Sequence, residues 1–421
     1  MLIQFRFQNF KSFRDDTILD FSATKITEHS EHIVLHGNEK LLPVSAIFGA
    51  NASGKSNVVE ALRFMTTYVV QSFMYGGDGE KEKIEKLKYT PFLFDAVSQE
   101  AESSFEVYFV KDDGRGGKTY NYGFTLNRDG IVEEWLNTKA KTARNFKKIF
   151  YRNSVELDLE ELPKKLQENL RLSLEKETLI SSLGAKLKIG ILKTVRDWFY
   201  NLNFADFSDP LENAWLSRRL PSGFFDKQIQ DNVILYLSAF DSSIVGFHVE
   251  KDESGEFTKV ESIHRKKDGS IVALPLEQES SGTLKMFALY PDLDDTLENG
   301  SVLVIDELNA RLHPLLVRSF LLTFLNPKIN TNHAQILFTT HDAWQLSNNL
   351  LRRDEIWFVE KDSDGASSLY SLADFEDDDG AKIRKDENYE KNYLLGKYGA
   401  IPTLKYFDMF REDNDAEREK R

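Results

Sequence analysis

Cysteine is absent from the 421 residues of this chain. Its absence excludes disulfide bonds and cysteine-ligated metals, and it fits a protein of the reducing cytoplasm. The chain also lacks an apolar run that approaches the roughly 20 residues needed to cross a bilayer. Its first residues, MLIQFRFQNF, lack the charged-then-apolar order of a signal peptide. We therefore predict a cytoplasmic protein without a membrane segment.

Positive charge is in deficit, because 54 lysines and arginines face 68 acidic residues and give a formal net charge of −14. This balance argues against a basic protein that coats nucleic acid, so any such contact needs a local patch. With 41% hydrophobic and 29% charged residues, the chain is typical of a globular protein. Its length allows two or more domains.

A phosphate-binding loop is the most specific pattern in the sequence. The apolar run 44–48 precedes GANASGKS at 49–56, which fits G-x-x-x-x-G-K-[ST], and apolar residues at helical spacing follow. Glycines let backbone N–H groups curl around a polyphosphate, and a helix N-terminus adds partial positive charge. Lys55 would reach the β- and γ-phosphates of ATP, and the Ser56 hydroxyl would ligate Mg²⁺. The alternative is a plain glycine turn between a strand and a helix.

Two carboxylates follow a second apolar strand, in VLVIDE at 302–307. Ligands of parallel sheets bind at the carboxyl ends of the strands, where these acids lie. Asp306 would hold Mg²⁺ alongside Ser56, and Glu307 would polarise the attacking water. The alternative is a pair of acids that caps the following helix.

Two weaker signals accompany these motifs. His341 ends the next apolar strand, in FTTHD at 338–342, and would contact the γ-phosphate, although a lone histidine at a strand end is more often structural. The segment ESSGTLK at 279–285 opens an apolar helix. It is either a second anion site at a helix start or an ordinary N-cap.

Alternating patterns predict an antiparallel sheet around residues 103–126, with further strands at 131–136 and 147–152. Leucines at 157–170 and the stretches 187–199 and 229–240 predict a helical insertion, followed by strands at 244–276. Runs at 301–307 and 334–342, separated by a helix from His313 to about Leu325, predict a parallel strand–helix–strand unit. Residues 344–351 continue as helix, 355–361 and 367–372 form a strand pair, and 74–86 reads as an exposed linker.

Together these motifs resemble the ABC-type ATPases of the Rad50/SMC/RecF class. Several stretches are more similar to the AAA15/AAA21 group of phage-defence ATPases, of the RloA, AbiL and PARIS type. The resemblance covers about 1–75 and 275–405, and it rests on the following stretches: SSGTLKMFALYPDL, IDELNARLHPLL, ILFTTHDAWQL, RRDEIWFVEKDSDGASSLYSLADF and YLLGKYGAIP.

The resemblance implies an α/β fold, an ABC-type P-loop ATPase head with an antiparallel β-subdomain and a helical insertion. It implies core halves at 1–150 and 241–405, the insertion at 151–240 and a charged tail at 406–421. It also implies roles for individual residues. Phosphates and metal are held by Gly49, Asn51, Gly54, Lys55, Ser56 and Asn57; Ser281 and Gly282 are the signature; Asp306 and Glu307 are the Walker B pair; Asn309 to His313 lie at the D-loop; His341 is the switch histidine.

The signature of such proteins acts on the nucleotide of the opposite subunit, so the resemblance implies a homodimer or higher homo-oligomer with ATP between subunits and slow hydrolysis. The signature here is Ser-Ser-Gly-Thr rather than Leu-Ser-Gly-Gly. The Q-loop glutamine is unplaced, with Gln71 and Gln99 as the nearest candidates.

The implied role is that of a sensor or regulatory scaffold in an anti-phage abortive-infection system. The sequence shows no second catalytic constellation, so an effector such as a TOPRIM-type nuclease would be a separate chain. The alternative is a RecF- or Rad50-like DNA repair or maintenance ATPase, although no long heptad stretch predicts a coiled coil. The trigger and the effector's identity stay open.

Basic residues cluster in KAKTARNFKKIFYR at 139–152, with a smaller group, HRKK, at 264–267. One interpretation is a groove for the phosphate backbone, which would bind nucleic acid without sequence preference and weaken steeply with salt. The other is an ordinary solvated surface.

Overall fold

The computed structural model describes residues 1–75, 87–111, 117–207, 219–221, 223–251, 257–376, 380 and 382–402. The predicted linker at 74–86 and the charged tail at 406–421 lie wholly or almost wholly outside these residues. The described strands are, in chain order, β1 (Leu2–Gln8), β2 (Thr17–Asp20), β3 (Val34–His36), β4 (Glu39–Leu41), β5 (Val44–Gly49), β6 (Ser103–Lys111), β7 (Lys118–Asn127), β8 (Gly130–Ala140), β9 (Lys147–Arg152), β10 (Leu157–Asp158), β11 (Asn203–Asp206), β12 (Ile244–Lys251), β13 (Phe257–Arg265), β14 (Ile271–Pro275), β15 (Val302–Asp306), β16 (Gln335–Thr340), β17 (Ile356–Lys361) and β18 (Ser367–Ser371).

Helices connect and cover these strands. They are α1 (Lys55–Gln71), α2 (Ala96–Glu100), α3 (Lys164–Ser173), α4 (Ile180–Lys186), α5 (Gly190–Tyr200), α6 (Lys227–Ser238), α7 (Ser281–Asn299), α8 (Pro314–Leu325) and α9 (Tyr389–Leu394). Among the described helices, none is both long and apolar enough to cross a membrane.

The central sheet has six strands in the order β11–β15–β16–β5–β17–β18. The first five run parallel, and β18 closes the edge antiparallel to β17. All residues of β5, β15 and β16 are buried, which explains why these strands read as continuous apolar runs. The parallel strand–helix–strand unit predicted from the sequence is therefore confirmed.

Alternate residues of the central strands pack into two different hydrophobic cores, one on each face of the sheet. Ile47, Val304 and Leu337 join α1 in the first hydrophobic cluster. Phe48, Ile305 and their neighbours on the opposite face join α7 and α8 in the second. The sheet is thus covered by helices on both faces, and its carboxyl edge is left for loops.

A second sheet of seven antiparallel strands, in the order β10–β9–β8–β7–β6–β1–β2, lies on the far side of α1. Its inward aromatic residues share the first cluster with the apolar face of α1, so this helix is buried between the two sheets. The mixed α/β fold with an antiparallel subdomain is confirmed. A three-stranded sheet, β12–β13–β14, precedes α7.

The segment 151–240 holds α3 to α6, but it also contributes two strands. Leu157 lies in β10 rather than in a helix, and α3 begins only at Lys164, because Pro163 favours a helix start. The stretch 187–199 divides at Lys188, whose φ of 61° is left-handed, and only α5 follows. After α5, β11 pairs parallel with β15 and extends the central sheet. The helix predicted at 344–351 is not formed: the chain makes a single 3₁₀ turn at Ala343–Gln345 and continues without helix to residue 351.

Candidate nucleotide-binding site

The loop between β5 and α1 is shaped for an anion. Gly54 immediately precedes α1 with φ of 113°, a conformation that side chains rarely adopt. A Cβ at this position would lie 2.5 Å from Ser367 Oγ and 2.8 Å from Ser12 Oγ. Glycine is therefore required here both for its backbone angle and for the close approach of two serines. The first N–H groups of α1 have no side-chain cap, so they are available to a phosphate.

Lys55 is the first residue of α1, and its side chain is buried at 7% exposure. Its Nζ donates to the carbonyl oxygens of Gly49 and Ala50, each at 2.9 Å. An ammonium has three N–H groups, so one remains for a ligand. Burial lowers the pKa of Lys55, while the negative charges of Asp306 and Glu307 oppose that shift. The two acids are therefore close enough to help keep this ammonium charged.

The predicted acid pair ends β15 beside β16. Asp306 is 2% exposed, and its Oδ1 accepts a hydrogen bond from the Thr339 hydroxyl of the neighbouring strand. The same Thr339 oxygen accepts from the backbone N–H of Glu307 at 2.9 Å. Thr339 thus holds the side chain of one acid and the backbone of the next in fixed positions. The role of Thr339 is not evident from the sequence pattern, although a hydroxyl in a fully buried strand needs a partner.

Lys285, on α7, supports the same corner from the other side. Its Nζ donates to the carbonyl oxygens of Glu307, Leu308 and Ala310 at 3.1, 2.7 and 3.0 Å. Glu307 adopts a left-handed φ of 53°, which is unfavourable for a residue with a side chain. Lys285 and Thr339 bind its carbonyl and its N–H, so they stabilise this strained conformation. Lys285 lies within the segment 279–285, but the sequence pattern there does not indicate this role.

His341 follows β16 and is exposed. The Asn309 amide lies 3.1 Å from His341 Nε2, and Asn309 Oδ1 accepts from the Thr340 hydroxyl at 2.8 Å. Because that bond identifies Oδ1 as the acceptor, the amide nitrogen donates to Nε2. A neutral His341 then carries its proton on Nδ1. The structure therefore brings His341 together with Asn309, the first residue of the predicted D-loop.

The predicted signature opens α7. Ser280 is the N-cap, and its Oγ accepts from the Thr283 backbone N–H at 3.1 Å. The ordinary capping role considered for this segment is therefore present at Ser280. Ser281 is exposed, and a Cβ on Gly282 would lie 3.3 Å from the Arg311 carbonyl oxygen. The start of α7 thus packs closely against the loop that follows Glu307.

Three side chains brace the phosphate loop from outside it. Asn57 Nδ2 donates to Ser12 Oγ at 2.7 Å, and Ser12 Oγ lies 2.8 Å from Ser367 Oγ. Ser367 Oγ donates to the Ser53 carbonyl oxygen at 2.6 Å. Asn57, predicted to hold phosphate or metal, therefore bonds a neighbouring loop in this structure. Ser12 and Ser367 could not be recognised from the sequence, because they lie in the β1–β2 connection and at the start of β18, far from the phosphate loop along the chain.

The remaining site residues have different surroundings. Asn51 is exposed in the loop, and Ser56 is half-buried in the first turn of α1. Gln71 ends α1, which at 1.5 Å per residue places it about 24 Å from Lys55, too far to contact the same phosphates. Gln99 donates to the Leu93 carbonyl oxygen at 2.8 Å. The Q-loop position therefore stays unassigned.

The predicted basic patch is largely neutralised by acids. Four of its six cations have a carboxylate partner: Lys139 with Glu39, Lys147 with Glu161, Lys148 with Asp158 and Arg152 with Glu134. In the smaller cluster, His264 is bonded to Glu279 at 2.6 Å. These pairs favour the solvated-surface interpretation, and nucleic-acid binding stays a prediction without support from the geometry.

A buried lysine at a glycine-rich strand–helix turn, under the charge of two carboxylates at the end of another parallel strand of the same sheet, is typical of a P-loop ATPase. Comparison with known families is more specific. The model for the family described as "AAA domain, putative AbiEii toxin, Type IV TA system" matches residues 44–343, and the chain belongs to this family.

One similar solved structure is described as "Crystal structure of the SmcHead bound to the C-winged helix domain of ScpA". It has a TM-score of 0.40 and 14% sequence identity, and the match covers 88% of this chain and 97% of that chain. No match to this chain was found among the curated proteins.

Proposed function

We propose that the chain binds ATP with Mg²⁺, hydrolyses it slowly, and dimerises around it. The observation that supports this most strongly is the Thr339 link. It fixes Asp306 and Glu307 at the carboxyl edge of the sheet, and both acids act electrostatically on the buried Lys55 of the phosphate loop. A glycine turn or a helix cap alone would not require this arrangement.

The donor set fits Mg²⁺. The ion prefers carboxylate and hydroxyl oxygens, which a buried Asp306 and the half-buried Ser56 supply. In this proposal the metal, when bound, neutralises phosphate charge. Lys55 directs its third N–H to the β- and γ-phosphates, and the loop N–H groups of Gly49 to Ser56 cradle the rest.

Hydrolysis would depend on Glu307 and His341. Glu307 polarises the attacking water, and the neutral His341 offers its Nδ1–H to the γ-phosphate. The Asn309 amide positions His341 by donating to Nε2. Slow turnover suits a protein in which ATP holds a conformation rather than feeding metabolism.

The exposed Ser281 supports a shared site. In the proposed dimer, Ser281 and Gly282 complete the nucleotide site of the opposite subunit, and each γ-phosphate bridges two chains. The chain is proposed to act as a homodimer or a higher homo-oligomer. We also propose core halves at 1–150 and 241–405 around the helical segment 151–240, from which β11 joins the central sheet.

The test is the solution molar mass of Glu307→Gln with and without Mg-ATP, compared with Glu307→Gln carrying Lys55→Ala. We expect ATP to double the mass, or to tighten the assembly, only when Lys55 is present. The matched control is Glu307→Gln with Lys193→Met, which removes an exposed lysine of α5 that is paired with Asp197. A mass that ignores ATP, combined with unchanged assembly in Ser281→Arg, would refute the shared site.

The biological role we propose is a sensor or regulatory scaffold of an anti-phage, abortive-infection system that controls a separate effector, such as a TOPRIM-type nuclease. The family's description, which names a putative AbiEii toxin of a type IV toxin–antitoxin system, is consistent with a role in the control of toxicity. A RecF- or Rad50-like repair role uses the same nucleotide machinery, so the site does not favour it.

This role is tested by phage plating on cells that carry the gene with its neighbouring genes, or the same genes with Lys55→Ala. We expect plating to fall in the first strain only. Equal plating across a broad phage panel would refute the defence role and leave the ATP-dependent dimer untouched.

A further inference from the structure

A group of nitrogen and oxygen ligands lies away from the phosphate loop, in the connection between β2 and β3. His29, Glu31 and His32 each offer one ligand atom, and these atoms all lie within 4.8 Å of one another. The two imidazole rings stack with centroids 4.9 Å apart and an angle of 13° between their planes. The proposed ATPase function uses none of these residues.

The connection is held in place by the residues that precede β17. Asp354 Oδ2 accepts from both the N–H and the hydroxyl of Thr24, each at 2.8 Å. Arg353 Nε donates to Glu28 Oε1 at 2.6 Å, and the fully buried Arg352 donates to the Glu28 carbonyl oxygen at 2.5 Å. The backbone that carries the two histidines is therefore anchored on both sides.

Hydrogen bonding fixes the tautomer of His29. Its Nε2 lies 2.8 Å from the Asn348 carbonyl oxygen, which can only accept, so Nε2 carries a proton. In the neutral ring the lone pair is then on Nδ1, which lies 3.2 Å from Glu31 Oε1. A lone pair and a carboxylate oxygen repel each other at this distance, and a cation between them removes the repulsion.

The tautomer of His32 is fixed in the same way. Its Nδ1 lies 3.1 Å from both oxygens of Glu355, a fully buried carboxylate that accepts the proton on Nδ1. The lone pair of a neutral His32 is therefore on Nε2. A histidine that donates one N–H to a carboxylate and offers the other nitrogen to a metal is a recurrent feature of zinc sites.

We propose that His29, Glu31 and His32 bind a transition-metal dication of the Zn²⁺ class. Two imidazole nitrogens and one carboxylate suit Zn²⁺, with water as a fourth ligand, and they do not suit Mg²⁺ or Ca²⁺, which prefer oxygen. Bonds of about 2.1 Å in a tetrahedron place ligand atoms about 3.4 Å apart. His29 Nδ1 and Glu31 Oε1, 3.2 Å apart, already have about this spacing, and metal binding would bring the His32 nitrogen to the same distance from both.

A protonated His29 paired with Glu31 is the competing account of the same contact, and metal uptake separates the two. The full chain is stripped with a chelator, kept free of nucleotide, and titrated with Zn²⁺, and with Co²⁺ as a spectroscopic probe. We expect one tightly bound equivalent, a Co²⁺ absorption typical of tetrahedral coordination, and a higher unfolding temperature with Zn²⁺ but not with Mg²⁺.

Glu31→Gln and His29→Gln should each weaken Zn²⁺ binding at least tenfold. Glu31 is exposed, so its replacement tests the site without endangering folding. The matched control is His248→Gln, which alters an exposed histidine close to Glu250 on β12 and should leave uptake unchanged. Asp306→Asn should also keep the equivalent, which distinguishes it from the proposed Mg²⁺ site. No stoichiometric uptake, or equal uptake in Glu31→Gln, would overturn the proposal and leave only the ion pair.

Discussion

Replacing Lys285 with methionine should remove a pH-dependent part of the protein's stability. The ammonium is 4% exposed and lies 3.9 Å from the centroid of the Phe207 ring. Burial lowers the pKa of Lys285 from 10.5 to about 7, against the opposing charge of Glu307. Methionine has a similar length and suits the apolar side of the pocket.

The sign follows from proton binding. Above about pH 7 the folded state has released this proton, while the unfolded chain keeps it until about pH 10.5. The unfolded state therefore binds more protons in this window, and the free energy of unfolding rises with pH. One proton gives a limiting slope of about 1.4 kcal/mol per pH unit, or roughly 2 kcal/mol between pH 7 and 9. The three carbonyl acceptors favour the ammonium, so this value is an upper bound.

The assay is urea unfolding of the wild type and Lys285→Met at pH 7, 8 and 9. The difference in unfolding free energy between the two proteins should change by about 1–2 kcal/mol across this range. Lys193→Met, which alters an exposed lysine, is the control and should run parallel to the wild type. Parallel curves for Lys285→Met as well would show that Lys285 keeps its proton throughout, which would refute the reasoning.

Three further outcomes are expected. Thr339→Val should lower the unfolding free energy by about 1–3 kcal/mol in urea, because a buried Asp306 oxygen loses its donor, whereas Thr339→Ser should recover most of it. Gly54→Ala should abolish ATP binding in calorimetry, since its Cβ would meet two serine hydroxyls; wild-type affinity would contradict the geometry. His264→Gln should weaken ATP-driven dimerisation several-fold, as measured by sedimentation. His264 Nε2 lies 2.6 Å from Oε1 of Glu279, two residues before α7, so this contact helps to position the start of the helix. Unchanged assembly would show that the start of α7 does not need this contact.

The residues proposed to contact ATP and Mg²⁺ could be predicted from the sequence, but the residues that hold them in position could not. Lys55 and the Asp306–Glu307 pair stand in short local patterns whose residue types the chemistry dictates. Thr339 and Lys285 act through contacts across 33 and 22 positions of the sequence. Threonine and lysine are common, so only the fold reveals which ones are enclosed and bonded.

Some elements of the fold could likewise be predicted from the sequence, and others could not. Strands such as β5 and β16 can be recognised from their long apolar runs, because strands that are buried on both faces consist mainly of apolar residues. β11 has only the four residues Asn203–Asp206 and no alternation, so its strand character comes from pairing with β15. The leucine spacing from Leu157 onward predicts a start of α3 that is too early. The helix begins at Lys164, directly after Pro163, because a proline inside the helix would interrupt it.

The strand order has a consequence for how the protein is made. β5 leaves the ribosome early, but its two neighbours in the sheet, β16 and β17, follow about 290 and about 310 residues later, which at about 5–20 residues per second takes roughly 15–60 s. Throughout that interval the backbone N–H and C=O groups on both edges of the apolar strand β5 lack their partner strands. An unpaired apolar strand of this kind favours aggregation. Nascent chains should therefore depend on chaperones, and fragments that end before residue 335 should be unable to bind nucleotide.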